Sequence, residues 1–119
     1  VRCIYESLAL KYRYTVETLE TLRGKKTSMI NVVGGGTKDK FLSQMTADAC
    51  GIPVCAGPEE ATAMGNIVMQ AIAAGEIANL AQAREVIANS TELKYYQPTA
   101  EIGMWDSAFE RFCEIQKTV

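Results

Sequence analysis

The stretch INVVGGGTKDKFLSQMTADACG, residues 30–51, decides the fold of this 119-residue chain. It joins a short apolar run to a helical pattern through three consecutive glycines at positions 34–36. Apolar residues recur at helical spacing over residues 38–50, and Gly51 stands where a helix-ending glycine belongs. The stretch therefore predicts a strand, a tight glycine turn and a helix.

The flanking sequence extends this stretch into an α/β order. Residues 29–33 and 52–56 are short apolar runs that predict two buried parallel strands joined through the helix. The other predicted segments are a helix over 2–23, a helix opened by Glu59 and Glu60, a short helix capped by Asn79 and Gln82, an extended segment over 91–98 and a last helix over about 101–117. Two parallel strands make a poor sheet alone, so we expect the rest of a sheet to lie outside this chain.

The helices are predicted to be amphipathic, with apolar residues three or four positions apart. The stripe of the first helix contains Ile4, Leu8, Tyr12, Val16, Leu19 and Leu22. The last helix is expected to bury Ile102, Trp105, Phe109, Phe112 and Cys113. The helical pattern begins directly after Val1. We therefore expect that the chain was processed or is a piece of a longer one.

Composition argues against several classes of function. The net charge is −2 and the basic residues are scattered, so neither a nucleic-acid surface nor a membrane surface is expected. The chain has four cysteines but no histidine and no CxxC pair, and we expect no metal site. The cysteines are predicted to be buried or half-buried free thiols in a reducing cytoplasm, with a Cys50–Cys55 disulfide left open as an alternative.

The triple glycine has two interpretations. Bare backbone between a strand and a helix lets a phosphate or nucleotide sugar approach closely, or it serves only a tight, closely packed turn. Neither common nucleotide fingerprint is present, because position 39 is Asp39 and no Gly-Lys-Ser/Thr follows. Thr37 and Asp39 can contact a ligand or cap the helix, and both roles remain open.

The sequence contains no recognisable catalytic constellation. Without histidine, a nucleophile has no usual base, and Glu59 and Glu60 diverge by about 100° on a helix. We expect that pair to complement the helix dipole. Asp48 is expected to be a buried or half-buried hydrogen-bond acceptor, and we assign no catalytic residue to this chain.

Two segments resemble the C-terminal part of the rhamnulokinase branch of carbohydrate kinases, which share the actin-like (ribonuclease H-like) ATPase fold. They are VGGGTKDKFLSQMTADACGIPVCAGPEEATAMGN and QAIAAGEIANLAQAREVIANS, and RCIYESLALKY is similar to the preceding helix. The resemblance implies an α/β fold: one partial domain over residues 1–119, with few parallel strands and several packed helices. That domain would be the C-terminal part of the nucleotide-binding lobe.

The resemblance also implies an activity. The whole enzyme would transfer the γ-phosphoryl group of ATP to the 1-hydroxyl of L-rhamnulose with Mg²⁺. Gly34, Gly35 and Gly36 would lie against the adenosine side of ATP, with Gly35 the first choice for contact. Asp39 stands where the family often has an Asn that reaches toward adenine.

The family's catalytic base and sugar-binding residues would precede Val1, so the chain is expected to be inactive alone. Its apolar faces would then be exposed and favour self-association. Two alternatives remain: a non-catalytic α/β binding or assembly module, and a related kinase with another ketose substrate.

Overall fold

A computed structural model describes residues 1–99 and 102–118. Its elements are α1 (Arg2–Arg23), β1 (Ile30–Val32), a 3₁₀ helix (Gly34–Lys38), α2 (Lys40–Cys50), β2 (Val54–Ala56), α3 (Ala61–Ala73), α4 (Leu80–Ser90), β3 (Lys94–Tyr96) and α5 (Ile102–Lys117). The predicted order is confirmed, and the structure adds the 3₁₀ helix and β3. Residue 101, where the last helix was predicted to begin, lies outside the described residues.

The three strands form one sheet in the order β1-β2-β3. β1 and β2 are parallel, as predicted, with Asn31 opposite Cys55. β3 is antiparallel to β2 and places Tyr95 opposite Cys55. All three residues of β2 are buried, since the strand is central in the sheet and α2 packs against it.

β1 leaves one edge open in the described sheet. Ile30 N–H donates to the Pro53 carbonyl (2.9 Å), and the Val32 carbonyl accepts from Gly57 N–H (2.8 Å). In a parallel ladder alternate residues bond to the same neighbour, so the N–H and C=O of Asn31 point away from β2. This edge therefore offers backbone groups with which a further strand can pair.

The core lies between α1 and α2. Its centre is the cluster of Ala9, Met45 and Ala49, against which Tyr5 and Trp105 pack. The predicted stripe of α1 is covered only in part, since Ile4 is 65% exposed and Leu22 is 79% exposed. The predicted bounds of α1 are confirmed. Much of its apolar stripe is nevertheless exposed to solvent.

The last helix docks on α1 and α2 through Arg13. The guanidinium donates to Asp106 Oδ1 (2.7 Å), to the Ala49 carbonyl (3.2 Å) and, through Nε, to Glu17 Oε1 (2.9 Å). It also lies 4.3 Å from the centroid of the Phe109 ring. Trp105 and Phe109 are half-buried, but Ile102 is 48% exposed, so its predicted burial is wrong.

Replacing Arg13 by Lys is expected to lower the free energy of unfolding by about 1–2 kcal/mol, because an ammonium cannot form the fork of bonds or stack on the ring. Thermal denaturation measures the change. Arg2→Lys is the matched control, since Arg2 makes one exposed i,i+4 pair with Glu6. Equal effects of the two substitutions would show that α5 does not depend on the guanidinium.

The cysteines are all free, so the alternative disulfide is absent. Cys55 is buried and Cys50 and Cys113 are half-buried, as predicted, whereas Cys3 is exposed. Burial raises the pKa of the Cys50 thiol to about 11. The Cys50 thiol is therefore protonated and a poor nucleophile near neutral pH.

Candidate functional site

The candidate site is the glycine turn, which we define as the 3₁₀ helix Gly34–Lys38 at the carboxyl end of β1. Gly34 has φ 81°, a conformation that favours glycine, and its N–H donates to the Pro58 carbonyl (3.1 Å). The Thr37 hydroxyl donates back to the Gly34 carbonyl (2.8 Å). The helix predicted to start at residue 38 starts instead at Lys40, because the turn winds as a tighter 3₁₀ helix first.

The space around the glycine turn bears on the two interpretations of the triple glycine. A Cβ added to Gly35 would meet no atom within 4 Å among the described residues, and one added to Gly36 would meet only Val32 Cγ1 at 3.9 Å. Close packing in the described part of the chain therefore does not explain the glycine at position 35. Among the described residues, the direction in which a side chain would leave Gly35 is open.

Asp39 joins the glycine turn to α2 and acts as the N-cap of that helix. Its Oδ1 accepts from Leu42 N–H (3.0 Å), and its Oδ2 accepts from the Tyr5 hydroxyl (2.7 Å). The Leu42 N–H and then the Tyr5 hydroxyl hold the pKa of the Asp39 carboxyl below its usual value. The capping role considered for Asp39 is thus present, and the carboxylate retains lone pairs that these two bonds do not use.

Tyr5 is a site residue that the sequence analysis missed. Its ring meets Phe41 edge to face, with centroids 5.4 Å apart, and its hydroxyl reaches Asp39 from α1. No sequence signal marks this contact, because the two partners are 34 positions apart and Tyr5 lies outside the predicted stripe.

A second pair ties the glycine turn to the loop after β2. Lys38 Nζ lies 2.6 Å from Glu59 Oε1, and this carboxylate raises the pKa of Lys38. Glu59, expected only to complement a helix dipole, therefore forms an ion pair in front of α3. The ion pair and the bond from Gly34 to Pro58 hold together the loops that follow the two parallel strands.

Asp48 occupies a polar network away from the glycine turn. Its Oδ1 accepts from Gln44 Nε2 (3.0 Å), from Thr99 N–H (2.8 Å) and from the Thr99 hydroxyl (2.9 Å). Gln44 also donates to the Gln97 carbonyl (2.8 Å). The predicted role as a half-buried acceptor is confirmed, and the network fixes the segment after β3 onto α2.

The part of the chain that the structure describes brings together no group of three or more Cys, Asp or Glu side chains able to hold a metal ion. Within the same residues, no helix is both long and apolar enough to cross a membrane.

Comparison with solved structures defines the class of fold. Gluconate kinase from Lactobacillus acidophilus aligns with 79% of this chain and 19% of its own, with a TM-score of 0.65 at 23% identity. The ligand-bound xylulose kinase from the same organism aligns equally well, with a TM-score of 0.65. The predicted fold class, part of the actin-like ATPase fold of sugar kinases, is therefore confirmed.

Sequence comparison is more specific. The FGGY family of carbohydrate kinases, C-terminal domain, matches residues 1–74. Because this match spans more than half of the 119 residues, the chain belongs to that family.

Two curated relatives are both named rhamnulokinase. A rhamnulokinase from Bacteroides thetaiotaomicron is 46% identical over 112 residues, which are 94% of this chain and 23% of that protein. A rhamnulokinase from Bacillus subtilis (strain 168) is 45% identical over 96 residues, 81% of this chain and 20% of that protein. The chain thus spans a fifth to a quarter of the length of these relatives.

Proposed function

We propose that this chain is the C-terminal part of the nucleotide-binding lobe of an ATP-dependent kinase that phosphorylates L-rhamnulose at the 1-hydroxyl. The substrate assignment is supported by the relatives named rhamnulokinase at 45–46% identity. In this proposal the chain is one partial domain that supplies the adenosine side of the ATP site. The complete enzyme would work in the cytoplasm.

The open backbone at Gly35 is the observation that carries the nucleotide part of the proposal. The first N–H groups of a helix have no partner within that helix, so Gly35 can present its N–H to a ligand. The glycine turn also follows a parallel strand, and ligands of open α/β sheets bind outside the carboxyl ends of such strands. Gly34, Gly35, Gly36 and Asp39 are the residues we assign to ATP binding.

The chemistry of phosphoryl transfer requires groups beyond this set. Transfer needs a positioned nucleophile and electrostatic stabilisation of the moving phosphoryl group. Mg²⁺ would neutralise phosphate charge, but the described residues offer no ligand cluster for it, and we assign none here. We therefore propose that the sugar and the metal-bound phosphates are held by the remainder of the kinase, and that this chain alone is inactive.

Three apolar or unpaired surfaces support a larger assembly. No described strand pairs with the outer edge of β1. Ile4 and Leu22 are exposed on α1, and Ile67 is 67% exposed on α3. A cleft of about 320 Å³ also runs between α1, β1 and α2, with Gly36 among its lining residues. We propose that other parts of the kinase cover these surfaces, and that the isolated chain self-associates through them.

The test is a comparison of ketoses on the complete kinase that contains this chain. We expect ATP-dependent phosphorylation with kcat/KM for L-rhamnulose about tenfold or more above that for L-fuculose or D-xylulose, a margin within the reach of differential substrate binding. The 119-residue chain alone should show none.

Each other outcome selects one alternative. Preference for another ketose would retain the kinase but change its substrate. ATP binding without phosphorylation of any ketose, or the absence of both, would favour a non-catalytic α/β module.

A further inference from the structure

Tyr5 connects the first turn of α1 to the junction between the glycine turn and α2. Its hydroxyl donates to Asp39 Oδ2 at 2.7 Å, and its half-buried ring is held edge-on by Phe41, with an interplanar angle of 89°. The ring contact restricts the position of the hydroxyl, which meets the Asp39 carboxylate from the first turn of α1.

Asp39 is held on two further sides. Its N–H donates to the Gly36 carbonyl (3.2 Å), and its Oδ1 caps α2 at Leu42 (3.0 Å). The cap bond alone would leave the carboxylate free to rotate about its contact with Leu42. The bond from Tyr5 removes that freedom and sets the direction of the unused lone pairs.

We propose that Tyr5 is a positioning residue of the nucleotide site, whose hydroxyl holds the Asp39 carboxylate in the orientation that accepts from the amino group of the adenine base. This inference rests on the proposed function, because it assumes that ATP lies against the glycine turn. It assigns to Tyr5 a role in base discrimination, exerted through Asp39.

The charges at the pair fit this role. The hydrogen bond to Asp39 raises the pKa of Tyr5, so the phenol remains a donor, while the pKa of Asp39 is lowered by Leu42 N–H and by Tyr5. An ionised carboxylate only accepts hydrogen bonds. It is attracted to the amino group of adenine and repelled by the carbonyl that guanine carries in the same place.

The experiment measures the Kd of ATP and of GTP by calorimetry on the complete kinase, together with KM and kcat. Tyr5→Phe keeps the ring contact and removes the hydroxyl. We expect it to weaken ATP binding about two- to tenfold, the factor one hydrogen bond contributes, and to reduce the preference for ATP over GTP. kcat and the KM for the sugar should stay within about twofold, because in this proposal Tyr5 acts only through Asp39 on the adenine base and contacts neither the sugar nor the transferred phosphoryl group.

Two further variants show whether Tyr5 acts through Asp39. In Asp39→Ser the hydroxyl still caps α2 but is too short to reach Tyr5, so adding Tyr5→Phe to it should have no further effect. Tyr14→Phe is the matched control, since Tyr14 lies on the same helix about 13 Å further along its axis.

The outcomes separate the two claims. Unchanged ATP affinity in Tyr5→Phe, an unchanged ATP/GTP ratio, or additive effects with Asp39→Ser would overturn the role of Tyr5. Wild-type protein that fails to bind ATP would overturn the proposed function and this inference together. ATP binding without sugar phosphorylation would overturn only the kinase proposal.

Discussion

Gly35→Val is expected to raise the KM for ATP about tenfold or more in the complete kinase, because its two methyl groups would clash with ATP bound at the glycine turn. A Cβ added to Gly35 meets nothing within 4 Å among the described residues, so the substitution should leave folding intact. Steady-state kinetics with varied ATP, beside the thermal midpoint of each protein, measures both effects. Gly35 is a sharper probe than Gly34, whose φ of 81° would strain any side chain whatever binds there.

The control for Gly35→Val is Gly103→Val on α5, where an added Cβ also meets nothing within 4 Å among the described residues. This variant should retain both stability and the KM for ATP. Normal ATP binding by Gly35→Val would remove the nucleotide from the glycine turn. Loss of stability in Gly35→Val alone would mean that another part of the protein packs on Gly35.

The sequence predicted those helices and strands whose bounds are set by residues close together in the chain. The period of α1 and the glycine at its end gave its bounds, and Gly51 marked the end of α2. The start of α2 was predicted two residues early, because helical spacing does not distinguish a 3₁₀ turn from an α-helix. β3 is three residues long and is defined by its pairing with β2, so its own sequence indicated only an extended segment.

The sequence indicated the residues of the candidate site but not the contacts that they make in the fold. The three glycines and Asp39 could be named from the sequence, because strand, glycine turn and helix follow one another along the chain. The bonds of Asp39 to Tyr5 and of Lys38 to Glu59 join residues brought together only by the tertiary fold. The exposure of Ile4 on α1 could not be predicted for a different reason. Periodicity shows that a helix face is apolar, but it does not show which element covers that face.

Gly57→Ala is expected to lower the free energy of unfolding by about 2–4 kcal/mol, because it combines an unfavourable backbone conformation with overpacking. Gly57 has φ 132°, and an added Cβ would lie 2.9 Å from Leu93 Cδ2 and 3.2 Å from the Glu92 carbonyl oxygen. Leu93 can shift a methyl group, but the backbone oxygen cannot move without displacing the entry to β3. Thermal or urea denaturation measures the loss.

Gly75→Ala separates the two contributions. Gly75 has φ 81° and open space around an added Cβ within the described residues, so its substitution should cost only the backbone term, about 1 kcal/mol. Equal losses in the two variants would show that the loop at residues 92–93 relaxes around the methyl group.

The substitution at Gly57 should also weaken ATP binding at the proposed nucleotide site. Gly57 N–H donates to the Val32 carbonyl (2.8 Å), and the next residue, Pro58, accepts from Gly34 N–H (3.1 Å). Displacing Gly57 therefore moves the acceptor that anchors the first residue of the glycine turn. ATP affinity should fall in Gly57→Ala and stay unchanged in Gly75→Ala, because only the former touches the loops that meet at the ends of β1 and β2.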